Sequence, residues 1–183
     1  MDVETCAIPG VVIVRPRVFR DERGTFYESF QRDRYAAAGI AGEFTQDNRS
    51  ASMARVLRGL HYQVSAPQGH LVTVTRGRIW DVGLDLRPTS PAFGRWVGTE
   101  LSADPPVQIY LPPGVAHGFC VLSDAAELWY RCVGTYRPDD EGGVLWNDPD
   151  LAITWPLRDP IVSDKDARYP RLRDLPRQRL PKV

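Results

Sequence analysis

Short runs of apolar and β-branched residues, separated by glycines and prolines, recur along most of the chain. The 183 residues include 15 Gly and 16 Pro, and these residue types usually mark turns. Many short strands at regular spacing are typical of a β-sandwich or barrel. The pattern predicts strands at Val11–Val14, His70–Thr75, Ile79–Leu86, Trp96–Leu101, Gln108–Leu111, Gly118–Leu122 and Leu128–Val133.

Two segments depart from the strand pattern. Gln31–Ala38 contains an Arg-Tyr-Ala-Ala-Ala run that stops at Gly39, which favours a short helix. From Arg158 onward the chain becomes charged and rich in proline, so we expect residues 158–183 to form a covering segment or tail. Because no internal repeat or linker interrupts the sequence, residues 1–183 are predicted to form one β domain.

Composition narrows the classes of partner. Lys and Arg together number 23, as do Asp and Glu, so the formal net charge is zero. This balance argues against a nucleic-acid or membrane surface driven by bulk charge. Asp2 and Glu4 leave no room for the apolar core of a signal peptide, and no apolar run is long enough for a membrane span. Three cysteines without C-x-x-C spacing favour the reducing cytoplasm.

Histidine is scarce and therefore informative. The chain has three histidines, and one of them lies in Val56–Gln63, where Arg58 and His61 flank Gly59. A side chain that titrates near neutral pH is the usual proton carrier in enzymes. From its sequence context alone, His61 could be a proton carrier, a metal ligand or a buried core residue.

Strand periodicity suggests a polar pocket inside the predicted barrel. Asp81 lies between Trp80 and Val82, so on a strand its carboxylate and these apolar side chains would point to opposite faces. An interior that held Asp81, His61 and His117 would be polar in an otherwise apolar core. Because buried polar groups lower stability unless they are paired, such pockets are usually functional.

Pro112–Phe119 is close to the second sequence motif of the cupins, in which the equivalent of His117 often binds a metal ion. A metal-binding cupin also supplies two histidines at H-x-H spacing and a glutamate. This chain has His61-Tyr62-Gln63 instead, and no Glu lies between His61 and Asp81. Because three or four convergent ligands are hard to assemble from these residues, we expect a cupin shape without a metal ion. A metal-dependent cupin stays open as an alternative.

Several further motifs follow one another in the order found in a known family. These motifs, together with the two already described, are Asp21–Gly24, Gln46–Asn48, Val56–His61, Ser90–Gly94, Pro112–Phe119, Trp146–Pro149 and Ile153–Pro156. On these motifs the chain resembles, from about Pro9 to Asp166, the dTDP-4-dehydrorhamnose 3,5-epimerases. This resemblance implies an all-β, cupin-type jelly-roll barrel that forms a homodimer and acts on a dTDP-sugar without a cofactor.

The resemblance also implies catalytic roles. Epimerisation next to a ketone needs a base, an acid on the opposite face of the ring, and donors aimed at the developing oxyanion. His61 matches the base and Tyr130 the acid. Asp166 matches the carboxylate that orients the base, with Asp164 as a nearby alternative. The implied reaction is epimerisation of a dTDP-4-keto-6-deoxyhexose at C3, C5 or both, in deoxysugar biosynthesis of the dTDP-L-rhamnose type.

A second group of residues matches substrate-binding positions. Arg58 matches a residue near the ketone and diphosphate, while Asp81 and His117 match residues that line the pocket. The remaining matches hold the nucleotide, and a guanidinium is suited to pair with a diphosphate oxygen. These nucleotide-binding candidates are Arg23, Phe26, Glu28, Gln46 and Asn48.

Two positions differ from the family pattern. His70 stands where the family usually has a lysine, and this change bears on how the enolate is stabilised. Thr135 precedes Tyr136 where the family often has two adjacent tyrosines. This difference bears on which nucleobase the site prefers. Three alternatives therefore remain besides the metal-dependent cupin: epimerisation at one carbon only, action on another 4-keto sugar nucleotide, or sugar-nucleotide binding without catalysis.

Overall fold

A computed structural model describes residues 1–183 of the chain, and it consists mainly of antiparallel strands. The all-β prediction is confirmed. One helix, α1, spans Arg32–Ala37. The strands are β1 (Asp2–Thr5), β2 (Val12–Arg15), β3 (Val18–Asp21), β4 (Gly24–Tyr27), β5 (Phe44–Met53), β6 (Leu57–Gln63), β7 (Gly69–Arg76), β8 (Arg78–Asp85), β9 (Trp96–Ser102), β10 (Gln108–Leu111), β11 (Val115–Val121), β12 (Ala125–Val133) and β13 (Glu141–Gly143).

Two sheets pack face to face and form a jelly-roll barrel. One sheet has six strands in the order β1-β2-β10-β7-β12-β5, and the other has five in the order β13-β6-β11-β8-β9. The β3–β4 hairpin forms a separate two-stranded sheet. Between the large sheets, Val72 and Val74 pack with Ile79, Leu101 and Phe119 in the main apolar core. The rest of the barrel interior is more polar and carries the candidate site.

Helix α1 is short and held by its ends. The Gln31 side chain accepts a hydrogen bond from the Arg34 backbone N–H at 2.7 Å, which caps the first turn. Tyr35 is buried, and its hydroxyl donates to the side-chain oxygen of Gln108 on β10. Gly39 follows at a φ of 83°, a conformation that ends helices. The helix predicted at Gln31–Ala38 is therefore confirmed, with its two end residues acting as caps.

The sequence pattern missed the longest strand, β5, although it spans ten residues. Its outward face is exposed, and its inward face carries the polar residues Gln46, Asn48 and Ser50. Strands are recognised by apolar alternation, and β5 has little of it because its inner face borders a cavity instead of an apolar core. Strand β11 likewise begins at Val115 instead of Gly118, which places His117 inside the strand.

Residues 158–183 contain no strand, and they cover the outer face of the five-stranded sheet. The N–H of Lys182 donates to the carbonyl of Val64 at 2.8 Å, and Leu172 and Leu175 pack on the apolar cluster of that face. Three short 3₁₀ turns shape the segment, at Asp166–Arg168, Leu172–Asp174 and Arg177–Arg179. The first of these turns carries Asp166 to β6. None of the helices has the length and apolar character required to cross a bilayer.

Candidate active site

A cavity of about 290 Å³ opens at one end of the barrel between the two sheets. Both sheets and the C-terminal segment contribute side chains to its wall. Six of the residues singled out from the sequence line it: Asn48, Arg58, His61, His70, His117 and Tyr130. The wall also contains polar residues that were not singled out, namely Ser50, Gln63, Gln68, Tyr136, Glu141 and Lys165.

An irregular stretch of β6 lets two neighbouring motif residues face this cavity. Arg58 and His61 are three positions apart, a spacing that would place them on opposite faces of a regular strand. The pairing of β6 with β11 shifts register at this point. Gly59 has a φ of 127°, and a Cβ atom there would lie 2.5 Å from the Cα of Gly118. Only glycine fits this close approach, which explains why the motif contains it.

His61 and Asp166 form a tight pair at the cavity wall. The Nε2 of His61 lies 2.8 Å from Oδ1 of Asp166, and the Gly59 N–H donates to Oδ2 at 3.1 Å. Burial alone would raise the pKa of Asp166, but the hydrogen bonds from His61, Gly59 and Ser163 outweigh it and lower that pKa. The charged carboxylate fixes the orientation of the imidazole, and Nδ1 is left as the free ring nitrogen.

His117 forms a second pair of the same kind with Asp81. Strand β11 places His117 opposite His61, and the Nε2 of His117 lies 2.8 Å from Oδ2 of Asp81 on β8. Asp81 is fully buried, and its other oxygen has no hydrogen-bond partner within the chain. The Asp81 carboxylate therefore lies beneath the cavity wall, and only its partner His117 is exposed to the cavity.

Tyr130 lies on β12, in the sheet opposite to that of His61. Burial raises the pKa of its phenol, and the neighbouring Cys132 side chain adds to the effect. The Arg58 guanidinium opposes it. The phenol therefore stays protonated at neutral pH. A base on one sheet and a protonated phenol on the other can reach opposite faces of a ligand held between them.

His70 faces the cavity from β7, next to Tyr130. Its ring centroid is 5.7 Å from that of Tyr130 and 5.8 Å from that of His117. Burial, together with the neighbouring His117 and His61, lowers the pKa of His70 to about 3. The imidazole of His70 is therefore neutral at physiological pH, unlike the lysine that the resemblance implies at this position.

The edge of the cavity is built from amides on β5. The Gln46 side-chain N–H donates to the Asn48 side-chain oxygen at 2.9 Å, and the Gln46 oxygen accepts from the Tyr136 N–H at 3.0 Å. Arg58 donates from Nε to the Ser52 hydroxyl at 3.1 Å, which leaves its outer nitrogens free. These groups are placed to bind a polar ligand at the cavity mouth.

Sequence reasoning missed a cluster around Glu141 on the edge strand β13. This carboxylate accepts from Lys165 Nζ at 2.6 Å, from the Tyr136 hydroxyl at 2.6 Å and from the Tyr169 hydroxyl at 3.0 Å. Burial would raise the pKa of Glu141, but these donors together lower it. Lys165 could have been found from its place beside Asp166. Glu141 had no such signal, because it lies in a polar Asp-Asp-Glu-Gly-Gly stretch typical of a loop.

Three of the predicted nucleotide-binding residues lie away from the cavity. Arg23 and Phe26 are on the β3–β4 hairpin, where Arg23 pairs with Asp21 and Phe26 is 70% exposed. Glu28 follows the hairpin and pairs with Arg34 of α1. Within one copy of the chain these residues do not join the other candidates, so their binding role stays a prediction.

All three histidines line the same cavity, and His61 and His117 are each held by a separate carboxylate partner. No group of three or more His, Cys, Asp or Glu side chains comes together in a way that could hold a metal ion.

A jelly-roll barrel whose polar interior sets a histidine–carboxylate pair against a protonated tyrosine is a cupin-type fold equipped for acid–base chemistry. Comparison with known proteins narrows this class further. The family model for dTDP-4-dehydrorhamnose 3,5-epimerase matches residues 5–174, and the chain belongs to this family.

The similarity to individual members extends over nearly the whole chain. A dTDP-4-dehydrorhamnose 3,5-epimerase of Pseudomonas aeruginosa is 49% identical over 168 residues, covering 91% of this chain and 93% of the relative. A dTDP-4-dehydrorhamnose 3-epimerase of Streptomyces niveus is 41% identical over 91% of this chain and 81% of its own length. The crystal structure of a Legionella pneumophila 3,5-epimerase in complex with dTDP-4-keto-L-rhamnose superposes with a TM-score of 0.95, at 44% identity, covering 100% of this chain and 98% of that one.

Proposed function

We propose that this chain epimerises a dTDP-4-keto-6-deoxyhexose at C3 and C5, in deoxysugar biosynthesis of the dTDP-L-rhamnose type. The proposal is carried by one observation: the His61–Asp166 pair and Tyr130 approach the same cavity from opposite sheets. Family membership supports the choice of substrate class. The ligand of the Legionella relative, dTDP-4-keto-L-rhamnose, is a sugar nucleotide of this kind.

In the first step, His61 removes a proton from a carbon next to the ketone. Its Nδ1 accepts the proton, because Nε2 is already held by Asp166. As the imidazole becomes positive, the Asp166 carboxylate stabilises it across 2.8 Å. The electron pair of the broken C–H bond moves toward the C4 oxygen and forms an enolate.

In the second step, Tyr130 returns a proton to the same carbon from the other face. The phenol is protonated at neutral pH because burial raises its pKa. The nearby Arg58 guanidinium stabilises the tyrosinate left behind. Because acid and base occupy opposite sheets, the configuration at the carbon inverts.

The nucleotide is proposed to occupy the cavity mouth. Arg58 and Lys165 supply the positive charge that a diphosphate needs, and Gln46 and Asn48 supply amide groups. Lys165 is paired with Glu141, and a diphosphate oxygen would compete with that carboxylate for the ammonium group. These contacts position the reacting carbon and take no part in the proton transfers.

We also propose that the working form is a homodimer. The β3–β4 hairpin exposes Phe19 and Phe26, at 52% and 70% of their surface, and an isolated two-stranded sheet has little stability of its own. Arg23, Phe26 and Glu28 do not line the cavity of their own chain. A second copy that covers the hairpin would bury the two aromatic rings and give these residues a cavity to serve.

The function is tested by proton NMR of dTDP-4-keto-6-deoxyglucose in D₂O. The native protein is expected to exchange the protons at C3 and C5 with deuterium. In His61→Asn, exchange at both carbons should fall by roughly 10²–10⁴-fold, the usual contribution of a general base. Exchange at only one carbon would instead assign a single-site epimerase. Binding without any exchange would identify a non-catalytic sugar-nucleotide protein.

The role of the Asp166 carboxylate, which orients the base His61, is tested by a matched pair of variants. Asp166→Asn should lower kcat strongly and leave the KM little changed, because the carboxylate acts through His61. Asp164→Asn is the control, since that side chain is 94% exposed and contacts only Arg168. Equal losses in both variants, or full exchange in His61→Asn, would contradict the assignment of the pair.

A further inference from the structure

His70 differs from the other two histidines of the cavity in having no partner. His61 and His117 each give one ring nitrogen to a carboxylate, at 2.8 Å in both cases. No protein group hydrogen-bonds to either ring nitrogen of His70, although the residue is partly buried in the cavity wall. A buried polar group normally finds a partner, so a free one that faces a cavity points to a ligand.

The neutral imidazole of His70 is suited to hydrogen bonding and poorly suited to proton transfer. Its imidazole stays neutral through the physiological range, so it is a poor base and a poor acid. A neutral imidazole still carries one N–H donor. Such a group can polarise a carbonyl and stabilise the oxyanion that develops on it.

The cavity offers few other donors for that oxyanion. Lys165 is engaged by Glu141 at 2.6 Å, and Arg58 is bound to Ser52 through Nε, while its outer nitrogens are assigned above to the diphosphate and to the Tyr130 phenolate. The Nε2 of His117 is already hydrogen-bonded to Asp81. His70 stands beside Tyr130 in the wall opposite His61, close to where the ketone must lie if its neighbouring carbons are to meet both groups.

We propose that His70 donates its N–H to the C4 oxygen of the substrate and stabilises the enolate without a positive charge, a role that rests on the epimerase function proposed above. When the C3–H or C5–H bond breaks, the proton passes to His61 and the electron pair forms a carbon–carbon double bond, with the negative charge on the C4 oxygen. His70 keeps its proton throughout. Tyr130 then gives its proton to the carbon and the C4 ketone re-forms. His61 releases the abstracted proton to solvent, and solvent returns a proton to the Tyr130 phenolate.

This role has a consequence that packing alone would not produce. C3 and C5 both flank C4, so both enolates place their charge on the same oxygen. Loss of a donor to that oxygen must therefore slow exchange at both carbons by the same factor. A residue that only shapes the cavity would shift the substrate and affect the two carbons unequally.

The test compares His70→Leu, which removes the donor, with His70→Gln, which keeps a neutral N–H donor in a similar volume. Exchange at C3 and C5 is measured by NMR in D₂O, and dTDP binding is measured by calorimetry to show that the site is intact. We expect His70→Leu to lose roughly 10²–10³-fold in kcat at both carbons, the usual effect of one oxyanion donor. His70→Gln should retain most of the rate, and both variants should bind dTDP within about threefold of the native protein, because the nucleotide lies at the mouth.

Two results would overturn the role of His70 while leaving the epimerase function in place. One is exchange in His70→Leu within threefold of the native rate. The other is a loss in His70→Leu that differs at least tenfold between C3 and C5, or that His70→Gln shares in full while both variants bind dTDP normally. If the native protein itself exchanges neither proton, it is the proposed function that fails.

Discussion

The three histidines share one cavity but have different electrostatic surroundings. His61 and His117 each face a buried carboxylate, whereas the ring of His70 packs against the imidazole of His117 and the phenol of Tyr130. One residue type can therefore fill the three roles proposed above: a base, a cavity wall and a neutral donor. The chemistry of each histidine is set by its neighbours, which come from distant parts of the chain.

The neutral state of His70 should make the fold sensitive to acid. The pKa of His70 is lowered from its ordinary value of 6.5 to about 3 in the folded chain. As the pH falls below 6.5, this imidazole is therefore protonated in the unfolded chain before it is protonated in the folded chain. The contribution of His70 to the free energy of unfolding is therefore fully present above the ordinary pKa. It is lost progressively as the pH falls toward the folded-state pKa. Between pH 7 and pH 5 the expected loss is about 2 kcal/mol.

Urea unfolding of the native chain and of His70→Gln at the two pH values measures this contribution. Asp166 and Glu141, whose pKa values are lowered, also lose stability as the pH falls, but they do so in both proteins. The difference between the two pH dependences therefore isolates His70. Identical pH dependences would show that the imidazole is protonated in the folded chain at pH 5.

Which residues meet in the cavity could be predicted only in part from the sequence. His61, Tyr130 and Asp166 were found through the family resemblance, and their approach to one cavity depends on pairing between strands far apart in the chain. Glu141 could not be found, because its three donors come from residues that no local pattern connects to it. Partners of this kind become visible only once the tertiary structure is known.

At the scale of elements, strands with a clear apolar alternation were predictable, and a strand whose inner face is polar was not. Strands β7, β8 and β12 combine apolar alternation with β-branched residues, so periodicity reveals them. Strand β5 lines the cavity with Gln46, Asn48 and Ser50 and lacks that signal. The polarity that hid β5 from the sequence pattern is the property that makes it useful to the site.

The β6–β11 contact predicts a large effect of one methyl group. Gly59 and Gly24 have nearly the same φ, 127° and 129°, but a Cβ on Gly24 would meet nothing within 4 Å, whereas one on Gly59 would lie 2.5 Å from the Cα of Gly118. Gly24→Ala should cost only the backbone strain, about 1–3 kcal/mol at most. Gly59→Ala carries the same strain plus a backbone collision.

Thermal and urea unfolding of the two variants separates these effects. We expect Gly59→Ala to be less stable than Gly24→Ala by at least about 1 kcal/mol, the lower end of the cost of overpacking. It should also lose exchange activity, because the displaced β6 carries both Arg58 and His61. Equal stability of the two variants would mean that β6 and β11 can separate without cost.

At the scale of the whole molecule, the β3–β4 hairpin is the part that a single copy leaves unexplained. It carries exposed aromatic residues and the unplaced Arg23, and the ion pair between Arg20 and Asp104 ties it to the loop after β9. If the hairpin serves the cavity of a second copy, a complete site needs His61 from one chain and Arg23 with Phe26 from the other. This arrangement can be tested by complementation.

One variant would be His61→Asn with a native hairpin, and the other Arg23→Ala/Phe26→Ala with a native base. Each alone should be nearly inactive, the second through a raised KM. Random pairing on co-expression makes half of the dimers mixed, and each mixed dimer has one complete site, so roughly a quarter of native exchange activity should return. Differently tagged chains allow the mixed dimer to be isolated and measured directly. A pure mixed dimer no more active than its parents would show that the hairpin does not act on the other chain. If light scattering showed a monomer, the hairpin could not complete the site of a second chain at all.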